Sequence, residues 1–202
     1  MAAAQVTLVM TRAPFLFAGA VSLATLATLA LPVSRLAVWN LSASVPTGLY
    51  IIGGTSGLRV GERVAIEPPP ALRQILAERR YLPGGVPLLK RIAAVSGQRV
   101  CRFAHVVMID GEYVGAARAR DSLGRPLPAW SGCVTLRVGE LFVMSPAAPD
   151  SFDGRYFGVL RETDVIGRVV PIWTDEAGHS GHDTLAEFAR PQAQEHQPKE
   201  TE

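Results

Sequence analysis

Lysine is nearly absent from this chain, which carries eighteen arginines but only Lys90 and Lys199. Lys199 belongs to a polar C-terminal stretch, whereas Lys90 interrupts the apolar run of residues 87–95. Arginine stays protonated at any working pH, but a lysine whose charge is desolvated can lose its proton near neutrality. A neutral amine is a general base, so the sequence raises the question of which group Lys90 deprotonates.

A candidate nucleophile lies in the serine-containing segment of residues 42–50, which follows a long apolar stretch. A serine hydroxyl is a poor nucleophile until a base removes its proton, and histidine is the usual base. Here three histidines lie in the C-terminal tail, and His105 lies in a predicted strand. A serine hydrolase built on this chain would therefore use a serine–lysine pair. Taken singly, such a serine is more often a turn residue, and such a lysine more often extends its ammonium to the surface.

A third polar group lies between the last predicted strands, in residues 149–158. Its Ser151 could orient a lysine amine by hydrogen bonding. Asp153 could pair with Arg155 and so hold the shape of a site. The alternative is that the carboxylate and the guanidinium serve only the fold.

Three segments in this order resemble the motifs of the type I signal (leader) peptidases, a family of serine–lysine membrane proteases. The segments are Ser-Ala-Ser-Val-Pro-Thr at 42–47, Lys-Arg-Ile-Ala at 90–93 and Ser-Phe-Asp-Gly-Arg-Tyr-Phe-Gly at 151–158. The form Ser-x-Pro-x-Gly-Leu-Tyr at 44–50 and the stretch Gly-Arg-Pro-Leu-Pro at 124–128 are closer to the TraF-like peptidases of conjugative transfer systems. That branch processes pilin precursors, in some cases to a cyclic pilin.

The resemblance implies a role for each residue of these segments. Ser44 would be the nucleophile and Lys90 its general base, with no cofactor and no metal. The main-chain N–H of Ser44 and the hydroxyl of Ser42 would form the oxyanion hole, in which one donor typically lowers the barrier by ~2.7–4 kcal/mol. Three further residues would support the site: Ser151, Asp153 and Arg155.

A membrane anchor is expected upstream of these segments, because residues 13–33 are uncharged and about 20 apolar residues span a bilayer. The alternative is a cleaved signal peptide, whose apolar region is typically shorter, ~7–15 residues. Arg12 and Arg35 bracket the stretch and leave its orientation nearly tied under the positive-inside rule. The resemblance implies a cytoplasmic amino end and a periplasmic catalytic domain at the bacterial inner membrane.

Four regions are predicted along the chain. They are a head at 1–12, a transmembrane anchor at 13–38, a catalytic β domain at 39–174 and a polar, disordered tail at 175–202. Ser44 follows Trp39 by five residues, and extended chain covers at most ~3.3–3.6 Å per residue. A nucleophile so close to the interface suits precursors whose apolar segment is embedded in the lipid bilayer, and these are the expected partners.

The expected fold class is mainly β, with antiparallel sheet behind one N-terminal transmembrane helix. Fifteen prolines and nineteen glycines separate short apolar runs, a pattern typical of strands joined by turns. One soluble helix is predicted at 71–80, and Asp110-Gly111 is a hairpin signal. Residues 45–52 are predicted as a turn that leads into a strand, and the other predicted strands are 58–66, 88–95, 100–109, 112–114, 136–144, 156–160 and 165–173.

Composition excludes some other functions. The net charge of +2, with charged residues at 19%, gives no electrostatic argument for a nucleic-acid partner. Cys101 and Cys133 are too far apart for a CxxC redox motif and too few for a zinc site. They would form a disulfide in an oxidising compartment and stay free thiols in a reducing one.

Two other functions fit the same sequence. The first is a general signal peptidase that serves many exported proteins rather than pilin. The second is a non-catalytic, anchored assembly protein of a secretion or pilus apparatus, which keeps the fold as a scaffold.

Overall fold

The computed structural model describes residues 14–23 and 37–175. The chain divides into two compact units, Met1–Ala37 and Val38–Glu202. In the first unit, residues 14–23 form a helix, α1. Most of the predicted anchor and nearly all of the predicted tail lie outside the described residues.

Over residues 14–23 and 37–175, none of the helices is both long enough and apolar enough to cross a membrane.

The second unit contains strands and short helices in an order close to the predicted one. Its first half comprises β1 (Ala37–Asn40), β2 (Gly48–Ile52), β3 (Arg63–Ile66), α2 (Pro70–Glu78), β4 (Leu88–Val95), β5 (Arg99–Phe103) and β6 (Val106–Ile109). Its second half comprises β7 (Glu112–Ala116), β8 (Gly132–Thr135), β9 (Glu140–Val143), α3 (Gly154–Phe157), β10 (Leu160–Arg161), a 3₁₀ turn (Glu162–Asp164) and β11 (Val165–Thr174).

The described strands form two sheets. The larger sheet has seven strands in the order β1-β2-β11-β3-β4-β9-β10, and the smaller has four in the order β7-β6-β5-β8. From β2 across to β10, and throughout the smaller sheet, neighbouring strands pair antiparallel. The prediction of a mainly β, antiparallel fold is thereby confirmed for the described residues.

β4 lies inside the larger sheet and is buried on both faces. Leu88 and Ile92 point into the largest apolar cluster, where they pack with Val64 and Val143. Ala93 belongs to a second cluster on the other face. Fully burying a side chain the size of Leu or Ile contributes ~1.5–3 kcal/mol, so β4 is among the most firmly held elements of the fold.

Several segment predictions differ from the structure in detail. Of the predicted strand 58–66 only β3 is strand, and of 136–144 only β9, while β8 begins in a segment predicted as loop. The apolar run 100–109 is a hairpin, β5 and β6, with His105 in the turn instead of a strand. Apolar residues flank that turn without Gly or Pro to mark it, and Ala104 adopts a φ of 53° there. The predicted strand 156–160 begins instead inside α3, because the Asp153 side chain caps that helix by accepting a hydrogen bond from the Arg155 N–H.

The two cysteines form a disulfide in the structure. Cys101 on β5 lies opposite Cys133 on β8 in the strand register, and their sulfurs are bonded. The bond joins positions 32 residues apart, so it also closes the arginine-rich segment between β7 and β8. A disulfide of this kind typically contributes ~2–4 kcal/mol.

Candidate active site

Three side chains from distant parts of the sequence meet at the wall of a cleft. Lys90 Nζ donates hydrogen bonds to Ser44 Oγ at 2.5 Å and to Ser151 Oγ at 2.6 Å. The two hydroxyl oxygens lie 3.2 Å apart. The structure therefore brings together the predicted nucleophile, the predicted base and the residue predicted to orient that base.

Lys90 owes its position to strand alternation. It shares one face of β4 with Leu88 and Ile92 and lies opposite Val64 of β3. Only 2% of its surface is exposed, a value typical of an apolar core residue. Successive strand residues point to opposite faces, so the apolar run that frames Lys90 in the sequence also surrounds its side chain in the fold.

Burial changes the acidity of this amine. The pKa of Lys90 is lowered from 10.5 to about 8, chiefly by desolvation; within this net shift the charge of Asp153 raises the pKa and the charge of Arg155 lowers it. The hydrogen bonds of the amine go to two neutral hydroxyls, which stabilise the ammonium less than a carboxylate would. A substantial fraction of Lys90 is therefore neutral in mildly alkaline solution and can accept a proton from Ser44.

Ser44 lies in the loop between β1 and β2, which is fastened at both ends. Val45 is buried, and the Tyr50 hydroxyl donates to the Pro46 carbonyl oxygen at 2.7 Å. Gly48 starts β2 with a φ of +141°, and a Cβ there would lie 2.1 Å from the carbonyl oxygen of Trp173. Only glycine allows β11 to approach this closely, so Gly48 fixes where the loop re-enters the sheet.

Ser42 lies in the same loop, and its hydroxyl has a partner within the loop. It donates to Asn40 Oδ1 at 2.8 Å, and the Ser42 N–H donates to the same oxygen at 3.1 Å. A hydroxyl has a single hydrogen, so in this structure that hydrogen is directed to Asn40. Ser42 lines the cleft, as expected of an oxyanion-hole residue. Its partner Asn40 also lines the cleft, although the sequence did not single it out.

Asp153 and Arg155 form a buried ion pair beside the three side chains. Arg155 Nε donates to Asp153 Oδ1 at 2.8 Å and Arg155 Nη2 to Asp153 Oδ2 at 2.9 Å, with 0% and 2% of the two residues exposed. Asp153 also accepts from the Ser145 N–H at 3.0 Å. Desolvation opposes the charge of Arg155, but the hydrogen bonds and charge of Asp153 outweigh it and raise the pKa of Arg155.

This ion pair holds the segment that carries Ser151. Arg155 Nη2 donates to the carbonyl oxygens of Ser151 at 3.1 Å and Ala148 at 3.0 Å, and Nη1 donates to that of Ala116 at 3.1 Å. The Ser151 backbone is therefore fixed from the guanidinium side. Sequence reasoning gave the pair a supporting role, and these contacts describe how such support would work.

Arg102 is a second buried arginine of this region, and the sequence did not single it out. It is 3% exposed, and its Nη1 donates to the carbonyl oxygen of Arg155. Its Nε donates to the Ala104 carbonyl oxygen at 3.1 Å. Arg102 follows Cys101 directly, so the smaller sheet and its disulfide are connected to α3 through this side chain.

Gly154 lies where α3 makes its closest approach to β9. A Cβ at this position would lie 2.6 Å from both the Phe142 ring and the Val143 carbonyl oxygen. The close approach lets α3 pack directly on β9. Trp130 Nε1 donates to the Gly154 carbonyl oxygen at 3.0 Å and closes the other side.

The cleft in front of Ser44 has a volume of about 790 Å³. Its walls combine the polar group described above with apolar side chains that could receive a peptide. Those apolar residues include Leu76, Tyr81, Val86, Leu88, Leu127 and Phe152. A hydroxyl with an adjacent amine of lowered pKa, facing such a cleft, is equipped for acyl transfer from a peptide carbonyl.

The chain is similar to several known proteins, of which three matches are described. Residues 9–174 match the family model described as signal peptidase, peptidase S26. Over 104 residues the chain is 40% identical to the probable conjugal transfer protein TraF of Sinorhizobium fredii, a match that covers 46% of this chain and 54% of that protein. The chain therefore spans about half the length of the curated relative it matches. A signal peptidase I from Enterococcus faecalis is 18% identical with a TM-score of 0.34, over 57% of this chain and 98% of that one.

Proposed function

Because the chain belongs to the signal peptidase family, peptidase S26, we propose that it is a serine endopeptidase that cleaves signal or leader peptides from exported precursors. Ser44 is the nucleophile and Lys90 the general base. The observation that carries the proposal is the contact of 2.5 Å between Lys90 Nζ and Ser44 Oγ at the wall of an open cleft. The same contact argues against a non-catalytic scaffold, which does not need a buried amine beside a hydroxyl.

The acylation step follows from this geometry. The neutral Lys90 amine takes the Ser44 proton as Ser44 Oγ bonds to the peptide carbonyl carbon. The carbonyl oxygen becomes an oxyanion, stabilised by the Ser44 N–H and the Ser42 hydroxyl. The Lys90 ammonium then gives its proton to the departing amide nitrogen as the C–N bond breaks, which leaves an acyl-enzyme on Ser44.

Deacylation reverses the roles. Water enters where the amine left, and Lys90, neutral again, takes its proton. The hydroxide equivalent attacks the acyl carbon, and the ammonium returns the proton to Ser44 Oγ as the ester bond breaks. Throughout, Ser151 Oγ accepts one amine hydrogen and keeps the Lys90 nitrogen directed towards Ser44.

The membrane setting is part of the proposal. A transmembrane anchor upstream of β1 places the catalytic domain on the periplasmic side of the bacterial inner membrane. Ser44 follows the anchor closely, so a precursor whose apolar segment lies in the bilayer presents its cleavage site at the right depth. The S26 match and the conjugal transfer relative support this placement.

The substrate we propose is a pilin precursor of a conjugative transfer system. What supports it is the 40% identity to a protein named as a probable conjugal transfer protein. A general signal peptidase is the other member of the class, and complementation separates the two. A dedicated enzyme should fail to rescue a strain that is depleted of its housekeeping signal peptidase. It should still cleave the pilin precursor.

The decisive experiment is co-expression of the full chain with candidate pilin precursors, followed by intact-mass measurement. Wild-type chain yields a shortened pilin, and Ser44→Ala and Lys90→Arg yield only the precursor, because guanidinium stays charged and cannot act as a base. Ser131→Ala, an exposed serine outside the cleft, is the matched control and keeps full activity. Cleavage retained by Lys90→Arg excludes the amine mechanism. The product mass also tells hydrolysis from cyclisation, since the hydrolysed chain is heavier by one water.

A further inference from the structure

Asn40 is the last residue of β1, and its side chain is buried against the loop of residues 42–46. Only 5% of Asn40 is exposed, although it stands between the exposed residues Trp39 and Leu41. A buried amide needs partners for both its oxygen and its nitrogen. The hydrogen-bond partners of the Asn40 side chain all belong to the Ser42–Pro46 loop.

The nitrogen of this amide fastens three points of the loop. Asn40 Nδ2 donates to the carbonyl oxygens of Ser42 at 2.8 Å, Val45 at 2.9 Å and Pro46 at 2.9 Å. Two hydrogens serve three acceptors, so one of the bonds is shared. These carbonyls lie on both sides of Ser44, and the amide therefore sets the curvature of the segment that presents the nucleophile.

The oxygen of the amide holds Ser42. Oδ1 accepts from the Ser42 N–H at 3.1 Å and from the Ser42 hydroxyl at 2.8 Å. Carbonyl oxygens only accept and a main-chain N–H only donates, so the orientation of the amide is fixed by its surroundings. If the amide were flipped, its oxygen would face the three carbonyl oxygens, and none of these acceptors would have a donor.

The hydrogen of the Ser42 hydroxyl has two possible acceptors during the reaction. In the structure it is directed to Asn40 Oδ1. Rotation about the Cβ–Oγ bond moves only the hydrogen and can direct it to an oxyanion. Oδ1 keeps the Ser42 N–H as donor after that rotation, so no buried acceptor is left without a partner.

We propose that Asn40 is a positioning residue, which shapes the 42–46 loop and holds the Ser42 hydroxyl in place until an oxyanion forms. This inference rests on the proposed function. It assigns Asn40 no contact with substrate and no part in proton transfer. Part of its effect passes through Ser42, and this part is separable from its role in shaping the loop and from a general role in folding.

A double-mutant cycle tests this role with purified full-length chain and a peptide that spans the cleavage junction of a precursor it cleaves. Ser42→Ala should lower kcat by roughly 10²–10³, as loss of one oxyanion donor does. Asn40→Ala should lower kcat at least about tenfold with KM within about threefold, the signature of an interaction made in the transition state. The combined variant should lose clearly less activity than the product of the two single losses, because the part of the Asn40 effect that passes through Ser42 is already lost in Ser42→Ala.

Ser42→Thr is the matched control, since it keeps a hydroxyl at this position. In that background Asn40→Ala should again lower kcat about tenfold or more. A combined Asn40→Ala and Ser42→Ala variant whose loss equals the product of the single losses overturns the proposal. So does an Asn40→Ala variant that changes only KM.

Folding and the outcome for the proposed function are checked separately. Thermal unfolding confirms that each variant is folded, and Asn40→Ser replaces Asn40→Ala in the cycle if the alanine variant is not. Cleavage retained by Ser44→Ala removes the proposed function itself. Inactive Ser44→Ala together with independent effects at positions 40 and 42 removes only the role of Asn40.

Discussion

Two buried cations, Lys90 and Arg155, interact near the nucleophile, and they differ in their hydrogen-bond partners. Arg155 is held by both oxygens of Asp153 and by backbone carbonyls, so its charge is fully compensated. Lys90 is as deeply buried but is hydrogen-bonded to two neutral hydroxyls. Asp153 therefore raises the pKa of Arg155 against the effect of desolvation, whereas desolvation lowers the pKa of Lys90, whose hydrogen bonds go to hydroxyls. A carboxylate partner, more than burial, therefore separates a structural cation from one suited to act as a base.

The largest effect should come from breaking the compensated pair. Arg155→Met leaves the Asp153 carboxylate buried without its counter-ion, and losing one partner of such a pair typically destabilises by about 3–5 kcal/mol. Urea denaturation at neutral pH measures the loss. Arg137→Met, at an exposed position, is the control and should change stability by less than about 0.5 kcal/mol. Equal stability of the two variants would show that the pair does not hold the fold.

Lys90→Met, unlike Arg155→Met, should be more stable than wild type, and the difference in the free energy of unfolding should depend on pH. The folded-state pKa of Lys90 is about 8, against 10.5 for the free side chain, so the unfolded chain binds the extra proton between these values. Keeping Lys90 charged in the folded state therefore lowers the free energy of unfolding by about 3 kcal/mol below pH 8, and this cost disappears as pH rises towards 10.5. Wild type should therefore gain stability relative to Lys90→Met across this window, as measured by denaturation at a series of pH values. Parallel pH curves for the two proteins would contradict a desolvated lysine.

The same pKa should appear in catalysis. The rate of acylation requires neutral Lys90, so kcat/KM should rise about tenfold per pH unit below pH 8 and level off above it. Peptide cleavage between pH 5 and 10 measures the profile. A plateau that begins near pH 6 would contradict a base with a pKa of about 8.

Ser151→Ala should give the smallest change in stability, and it should also shift the pKa of Lys90. Removing one hydroxyl acceptor should cost about 1 kcal/mol in the free energy of unfolding. It also removes a group that stabilises the ammonium, so the midpoint of the pH–rate profile should move to lower pH while kcat falls. Ser122→Ala, another serine lining the cleft, is the control. An unchanged midpoint would mean that Ser151 only fills space.

The sequence was most informative where chemistry and strand pattern coincide. Lys90 stands out because an ammonium interrupts a buried strand, and the three motifs placed Ser44, Lys90 and Ser151 in one site although 46 to 107 residues separate them in pairs. Their distances and burial could not be read from the sequence, because they depend on the pairing of β4 with β3 and β9.

The residues that the sequence missed are polar groups whose partners are backbone atoms. Asn40 binds mainly loop carbonyls and N–H groups, and Arg102 binds carbonyls of Ala104 and Arg155. Backbone atoms carry no sequence signal, so nothing in the residue types marked these contacts. A polar residue in the middle of the apolar stretch 37–41 was the one available hint for Asn40.

The bond between Cys101 and Cys133 has a practical consequence for preparing the enzyme. It cross-links β5 to β8, and the next residue on β5, Arg102, reaches the backbone of α3. Chain made where glutathione keeps thiols reduced would lack this cross-link close to the element that carries Arg155. Recombinant protein for kinetic work is therefore best secreted into an oxidising compartment or refolded with a thiol–disulfide couple, and counting free thiols by mass should come before any rate measurement.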